Sequence, residues 1–269
     1  MEGIAGKTAI VTGAGRGIGR GLALALAARG ARLVLNDLDQ APLEETAALT
    51  GGDPALTAGS VTDAQVGERL TEAALERFGA LDVIAACAGY TWDGMFHRMT
   101  GDQWRAIVDV HLNGTYNTVR PAYAAMRELA RAERERGGQP AARKIVTVSS
   151  MSAFGNLGQA NYAAAKAGIV GLTRTLAIEG ARFNILANSA AFGPIDTRLT
   201  RAREQQDERV GEAALGIPQA ARDAYLASIP LGRTGTIEEA VGPLLFLASE
   251  HANYVSGALL EVNGAAHIG

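Results

Sequence analysis

In the stretch "GQANYAAAKAG", residues 158–168, Tyr162 stands four positions ahead of Lys166 with only alanines between them. Side chains at i and i+4 share a helix face, and alanine is the strongest helix former, so the phenol and the ammonium point the same way. Free tyrosine titrates near ~10, too high for a ready base at neutral pH. A neighbouring ammonium, together with the positive ring of a bound nicotinamide, favours the phenolate, so the two are expected to lower the pKa of Tyr162. Such a pair suits a reaction in which a proton leaves or joins an oxygen while hydride leaves or joins the carbon that bears it. A tyrosine and a lysine also meet on ordinary amphipathic helices, so the weight rests on what surrounds them.

A second stretch, "TGAGRGIG" at 12–19, follows an apolar strand pattern and opens a helical one. That is the context of a phosphate-binding glycine loop. Gly13 permits a tight turn, Gly17 lets backbone approach a pyrophosphate, and Gly19 lets helix and strand pack closely, while the helix N-terminus offers unpaired N–H groups to the anion. Arg16 and Ile18 complete the contact set of the loop. Asp37 ends the next strand, 18 residues beyond Gly19, where a carboxylate can accept hydrogen bonds from an adenosine ribose diol. A carboxylate there repels a 2′-phosphate and Gly15 carries no charge, so NAD(H) is favoured over NADP(H), with Arg16 as a contrary sign.

The elements that must position these residues alternate. "KTAIVTG", "ARLVLND", "LDVIAACAG", "KIVTVSS" and "RFNILANSA" read as buried strands, and "ALTAGSV" as an edge strand. Between them lie helical patterns at about 16–30, 40–50, 63–78, 102–136 and 160–179. Strand and helix in turn imply a mostly parallel sheet covered on both faces by right-handed crossovers. The expected class is a doubly wound α/β fold over residues 1–269 as one domain. "ELARAERERGGQP" reads as a solvated helix extension and loop. Residues 197–230 are helical in composition and long enough to form a lid over a site.

Composition narrows the function. With 48% hydrophobic and 20% charged residues the chain has ample apolar surface for a core. A formal charge of -3 gives no broad basic field for nucleic acid or an anionic membrane surface. Cys87 is the only cysteine, which rules out an intrachain disulfide and a thiolate metal cluster. No metal site is expected. Neither a leader pattern nor an apolar run of ~20 residues is present, so a cytoplasmic protein acting on a small molecule is expected.

The glycine spacing is GxxxGxG, and with "YAAAK", "PLGRTGTIEEAVGPLLFLAS" and "YVSGALLEVNGA" in register the chain resembles the classical short-chain dehydrogenases/reductases over essentially its full length. The resemblance implies a Rossmann sheet of about seven strands with a small substrate lobe. It assigns Tyr162 as general acid/base and gives Lys166 a second role on the nicotinamide ribose. It also asks for a serine at the end of "KIVTVSS". Strand register favours Ser150, whereas the family's most frequent interval of thirteen back from Tyr162 falls on Ser149. Relatives commonly form homotetramers through the two long central helices and the last strand.

Several positions depart from the family pattern. His111 stands where an asparagine usually supports a water leading from the lysine; it is either a packed core histidine or a polar relay with a suitable pKa near ~6.5. Asn113 falls about 200° away on the helix. "ACAG" replaces NNAG, leaving backbone at Ala88 and Gly89 for the cofactor and Cys87 as packing. Ser60 replaces an aspartate near the adenine, while Val61 remains to line that pocket. In "NSAAFGPIDT", Phe192 takes a proline position, and Gly193, Ile195 and Thr197 remain for the carboxamide and phosphate.

The expected function is an NAD(H)-linked oxidoreductase acting on a secondary alcohol or its ketone, with Ser150, Tyr162, Lys166 and His111 as the catalytic set. An NADPH-linked 3-oxoacyl-carrier-protein reductase is the alternative, for which Arg198, Arg201 and Arg203 could serve an acidic carrier or simply form a solvated face. A non-catalytic dinucleotide sensor is the reading from another class.

Overall fold

The computed structural model describes residues 3–205 and 207–267. The chain begins with β1 (Thr8–Thr12), α1 (Gly17–Ala27), β2 (Arg32–Asp37), α2 (Gln40–Thr50), β3 (Ala55–Ala58), α3 (Ala64–Phe78) and β4 (Val83–Ala86). It continues through α4 (Gly101–Val108), α5 (Gly114–Glu135), β5 (Arg143–Ser150), α6 (Ala160–Gly180) and β6 (Ile185–Phe192). A small hairpin, β7 (Arg209–Val210) and β8 (Ala213–Ala214), then α7 (Gln219–Ala227), α8 (Ile237–Ala248) and β9 (Leu259–Val262) complete it.

Seven strands form one sheet in the order β3-β2-β1-β4-β5-β6-β9, and every pairing in it is parallel. Parallel strands covered on both faces lose the alternation of half-buried ones, which is why "TAIVT" and "ILANSAAF" are buried along their whole length. One face packs α1 and α8 through Leu22, Leu26, Leu244 and Leu245; the other packs α3 and α5 through Val66, Leu70, Val119 and Met126. Strand order reverses between β1 and β4, and the crevice at such a reversal is where doubly wound sheets bind nucleotides.

The helix read over 102–136 is interrupted. Residues Asp109–Asn113 form a π turn between α4 and α5, and His111 at its centre is buried. A π turn adds one residue to a helical turn, a local cost that tertiary contacts must offset; here His111 gains a carbonyl partner at Tyr90, at 2.7 Å. The lid also differs from its helical composition. It holds a short 3-10 turn and the β7–β8 hairpin before α7 begins at Gln219. Gly211 and Gly216 take left-handed backbone there and Pro218 precedes the helix, so the turn residues override the propensity of their neighbours. The charged segment after residue 128 is not wholly solvated: Glu133 pairs with the buried Arg143 at 2.6 Å and so braces the start of β5.

Candidate active site

At the end of β1 the chain turns at Gly13 with φ of 65°, a left-handed conformation that favours glycine. A Cβ on Gly13 would lie 2.8 Å from the Ala88 Cα, and one on Gly19 would lie 2.1 Å from the Gly13 carbonyl oxygen. The loop is therefore held against β4 and α1 at distances only glycine allows. No acidic residue occupies the first turn of α1 and Arg16 contributes no side-chain cap, which leaves that end suited to an anion. Asp37 sits at the tip of β2, where its Oδ2 accepts the Gly15 N–H at 2.8 Å and its Oδ1 the Asp39 N–H at 3.3 Å. Arg16 is turned toward Asp39, with Nη1 to Oδ2 of 3.1 Å.

A cavity of about 960 Å³ runs from this loop to the ends of β5 and α6. Gly13, Arg16, Gly17, Ile18, Gly19, Asp37, Val61, Ala88 and Gly89 line its nucleotide half. Gly193, Ile195 and Thr197 border it where β6 gives way to the lid, and His111, Ser150, Tyr162 and Lys166 line its far half. The residues singled out from the sequence are thus gathered around one space.

Strand register separates the two serines. Ser149 is buried and its hydroxyl donates to the Lys166 carbonyl at 3.0 Å, inside the β5–α6 packing. Ser150, on the other side of the strand, faces the cavity beside the Tyr162 phenol, accepts the Ser152 N–H at 3.1 Å and donates to the Phe192 carbonyl at 3.4 Å. Replacing Ser150 by alanine is expected to lower kcat about a hundredfold, the cost of one donor on a reacting oxygen. Ser149→Ala is expected to cost about 1 kcal/mol of stability and leave kcat within about threefold. Equal losses of kcat in steady-state assays of both variants would contradict this assignment.

Lys166 donates from Nζ to the Val148 carbonyl at 2.7 Å and lies 5.4 Å from the centre of the Tyr162 ring. In the ligand-free protein Lys166 alone does not lower the tyrosine pKa. Burial pushes the phenol up to about 12, outweighing the Ser150 hydroxyl, while burial depresses Lys166 to about 7, so the ammonium is only partly charged near neutrality. The unfolded chain, with an ordinary lysine, then binds more protons above pH ~7, and this group's contribution to stability rises with pH until the unfolded pKa is reached. Between about pH 7 and pH 9 the ligand-free protein is expected to gain about 2 kcal/mol relative to Lys166→Met, as measured by urea unfolding at each pH. Parallel stabilities of the two proteins would show that Lys166 stays charged.

His111 is fixed in one tautomer, because a carbonyl can only accept: Nε2–H donates to Tyr90. Nδ1 is buried without a hydrogen-bond partner among the described residues, and the ring stands edge-on to Tyr162 at 4.9 Å between centroids. Gly89 is part of this arrangement, since a Cβ there would lie 2.0 Å from the imidazole Cε1. Burial and Lys166 hold the imidazole pKa well below its ordinary value. The expectation of a histidine titrating near neutrality is therefore corrected: His111 is neutral and offers a lone pair. Burial likewise pushes the Cys87 thiol up to about 12, so the thiol is not a nucleophile.

Sequence reasoning missed two supports. The Thr12 hydroxyl accepts the N–H groups of Cys87 and Ala88 at 3.1 and 3.2 Å, tying β1 to β4 where the family's amide side chains are absent. Asn161 accepts the Tyr162 N–H at 2.8 Å and donates to the carbonyls of Trp92 and Gln103, which pins the first turn of α6. An asparagine at a helix start was the available signal.

A glycine loop at the switch point of a parallel sheet, opening onto a Ser-Tyr-Lys cluster, defines a dinucleotide-dependent oxidoreductase. Sequence comparison agrees. A family model described as enoyl-(acyl carrier protein) reductase matches residues 13–267, and the chain belongs to the short-chain dehydrogenase/reductase family. It is 35% identical to a 3-oxoacyl-acyl-carrier-protein reductase of Thermotoga maritima over 265 residues, covering 96% of this chain and 97% of that one. It is 36% identical to the 3-oxoacyl-acyl-carrier-protein reductase of Escherichia coli, with 98% of each chain covered. An uncharacterised oxidoreductase of Mycobacterium tuberculosis is 38% identical, with 97% of each chain covered.

Proposed function

We propose that the protein exchanges hydride between NAD(H) and a secondary alcohol or its ketone, with Tyr162 as the proton-transfer group. The observation that carries this reading is the continuity of one cavity from Asp37 to Ser150 and Tyr162. Bound oxidised dinucleotide supplies a hydride acceptor and a positive ring charge. The residues present suit such a group: close-packed glycines for the pyrophosphate, the open first turn of α1, and a carboxylate with unused lone pairs for the ribose diol. Asp37 favours NAD over NADP, and the Arg16–Asp39 pair leaves the nearest guanidinium engaged by a carboxylate.

In the oxidation direction Ser150 would hold the alcohol oxygen by a hydrogen bond; Tyr162, after releasing its own proton to solvent as the positive charge of the bound dinucleotide favours the phenolate, would take the alcohol proton while the carbinol carbon gives its hydride to that dinucleotide. In reduction the same phenol donates the proton. Lys166, placed against the Tyr162 ring and the Val148 carbonyl, orients the tyrosine and would hold the nicotinamide ribose hydroxyls when the dinucleotide is bound. His111 presents its Nδ1 lone pair to a bridging donor rather than passing a proton by its own titration.

The names of the relatives favour a second reading, reduction of a 3-oxoacyl group on a carrier protein. The lid arginines give it little support. Arg198 pairs with Glu208, Arg201 with Asp196, and Arg203 donates to the Gly216 carbonyl, so all three hold the lid together. Exposed Trp104, Tyr116 and Ile178 on α4, α5 and α6 suit a homotetramer built on these helices, and the absence of a helix long and apolar enough to cross a membrane among the described residues is compatible with a cytoplasmic site of action.

Assays of neutral secondary alcohols and ketones with NAD(H) and NADP(H), read by nicotinamide absorbance, test the proposal. Turnover with NAD(H) preferred is the expected result. A preference for NADPH and a 3-oxoacyl thioester would replace it with the second reading.

A further inference from the structure

One wall of the far half of the cavity is polar, and the mechanism above uses only its first member. From the Ser150 hydroxyl, which accepts the Ser152 N–H, polar groups continue outward: the Ser152 hydroxyl donates to Gln159 Oε1 at 2.9 Å, and Asn156 Nδ2 donates to the same oxygen at 2.8 Å. Both bonds fix the Gln159 amide so that its Nε2 points at Asp93, 3.1 Å from Oδ1 and 3.2 Å from Oδ2. The backbone around Asp93 is clamped on each side. Asn161 holds the Trp92 carbonyl at 3.1 Å, and the Gly94 N–H donates to the Gly158 carbonyl at 2.8 Å. Asp93 is thus tied through its neighbours to the turn of α6 that carries Tyr162.

What it presents is a carboxylate on the open side of the cavity, most of whose acceptor positions are left by the protein to solvent or a ligand. Two oxygens offer about four acceptor positions, and a single amide nitrogen is shared between them. Among the described residues no cation lies within ion-pair distance of Asp93; Arg203 acts on it only from farther away. Partial desolvation raises its pKa, while the Gln159 bond opposes that rise. A carboxylate lining a binding cavity accepts hydrogen bonds from donors on the ligand, a hydroxyl among them, and it disfavours an anionic group.

We propose that Asp93, oriented by Gln159, is the subsite for a second hydroxyl on the substrate, so that the preferred substrates are neutral diols and the matching hydroxy ketones. This rests on the alcohol/ketone oxidoreductase reading and narrows it. A simple secondary alcohol offers Asp93 no donor, and an acyl thioester brings carbonyl acceptors to a group that only accepts.

The test compares cyclohexanol with the 1,2-, 1,3- and 1,4-cyclohexanediols, taking the best of the three as the diol, using saturating NAD+ and the full-length protein. Wild type is expected to favour the diol about ten- to hundredfold in kcat/KM, the range of a hydrogen bond to a charged group. Asp93→Ala should bring the ratio close to one, and Asp93→Asn should leave an intermediate ratio because the amide oxygen still accepts. Circular dichroism and NAD+ binding of each variant establish that the fold persists. A wild-type ratio near one, or a preference that survives Asp93→Ala, overturns the subsite. No turnover of any of these alcohols by wild type that binds NAD+ counts instead against the oxidoreductase reading, and the subsite falls with it.

Discussion

Tyr162→Phe is expected to lower kcat by about a thousandfold while NAD+ binding changes less than about threefold. The phenol is the only acid/base group assigned to the reacting oxygen, and a positioned proton-transfer group contributes roughly 10²–10⁴ in rate. Phenylalanine keeps the ring that packs edge-on against His111 and beneath the Lys166 Nζ, so the shape of the site should persist. The split between kcat and dinucleotide affinity is what separates loss of a proton donor from loss of structure. Steady-state kinetics beside a fluorescence titration of NADH measure both. A variant that retains most of its rate would move proton transfer to another group, with water in the cavity the first to consider.

The second large effect belongs to the other end of the cavity. Gly19→Ala places a methyl group 2.1 Å from the Gly13 carbonyl oxygen, with the Thr12 carbonyl oxygen 3.2 Å away. Both are backbone atoms of the β1 turn and neither can rotate aside as a side chain would. Relief requires α1 to move off the sheet or the loop to open, at a cost of about 1–3 kcal/mol or more, and either motion misplaces the N–H groups meant for the pyrophosphate. NADH affinity is expected to fall at least about tenfold to a hundredfold, with a lowered melting temperature. Unchanged binding would show that the loop tolerates a wider approach than its geometry indicates.

Much of the scaffold was legible because parallel strands buried on both faces read as short apolar runs, and the turns at Gly13, Gly30, Gly51 and Gly79 punctuate them with left-handed backbone. The grouping of Tyr162, Lys166 and Ser150 was legible for a similar reason: helix and strand periodicity fix which side chains share a face, and Ser149 and Ser150 are separated by that rule alone. What periodicity does not carry is depth. In the ligand-free protein the direction of the Tyr162 pKa is set by burial, and the spacing to Lys166 carries no information about that depth. The π turn was hidden for a related reason, since it is stabilised by a bond from His111 to a carbonyl twenty-one residues earlier in the chain. In the lid, alanines and arginines spell a helix, and only the glycines at 211 and 216 signal the hairpin that forms instead.

The proposed NAD preference and the proposed diol subsite share a physical basis. Asp37 and Asp93 are carboxylates at opposite ends of one cavity, each held by one or two N–H donors and each left with acceptor capacity facing inward. In both proposals a carboxylate facing the cavity accepts hydrogen bonds from hydroxyls of its partner. Both carboxylates also select against anionic groups, a 2′-phosphate at one end and an acidic substrate at the other.

Transfer of deuterium tests the central claim most directly. A secondary alcohol or diol labelled at the carbinol carbon is incubated with the protein and NAD+, and the reduced dinucleotide is analysed by mass spectrometry. One deuterium in each NADH formed, together with a slowed rate for the labelled alcohol, is the predicted result. NADH without deuterium, or no reduced dinucleotide across a panel of alcohols from protein that binds NAD+, would contradict hydride transfer at the Ser150–Tyr162 end of the cavity.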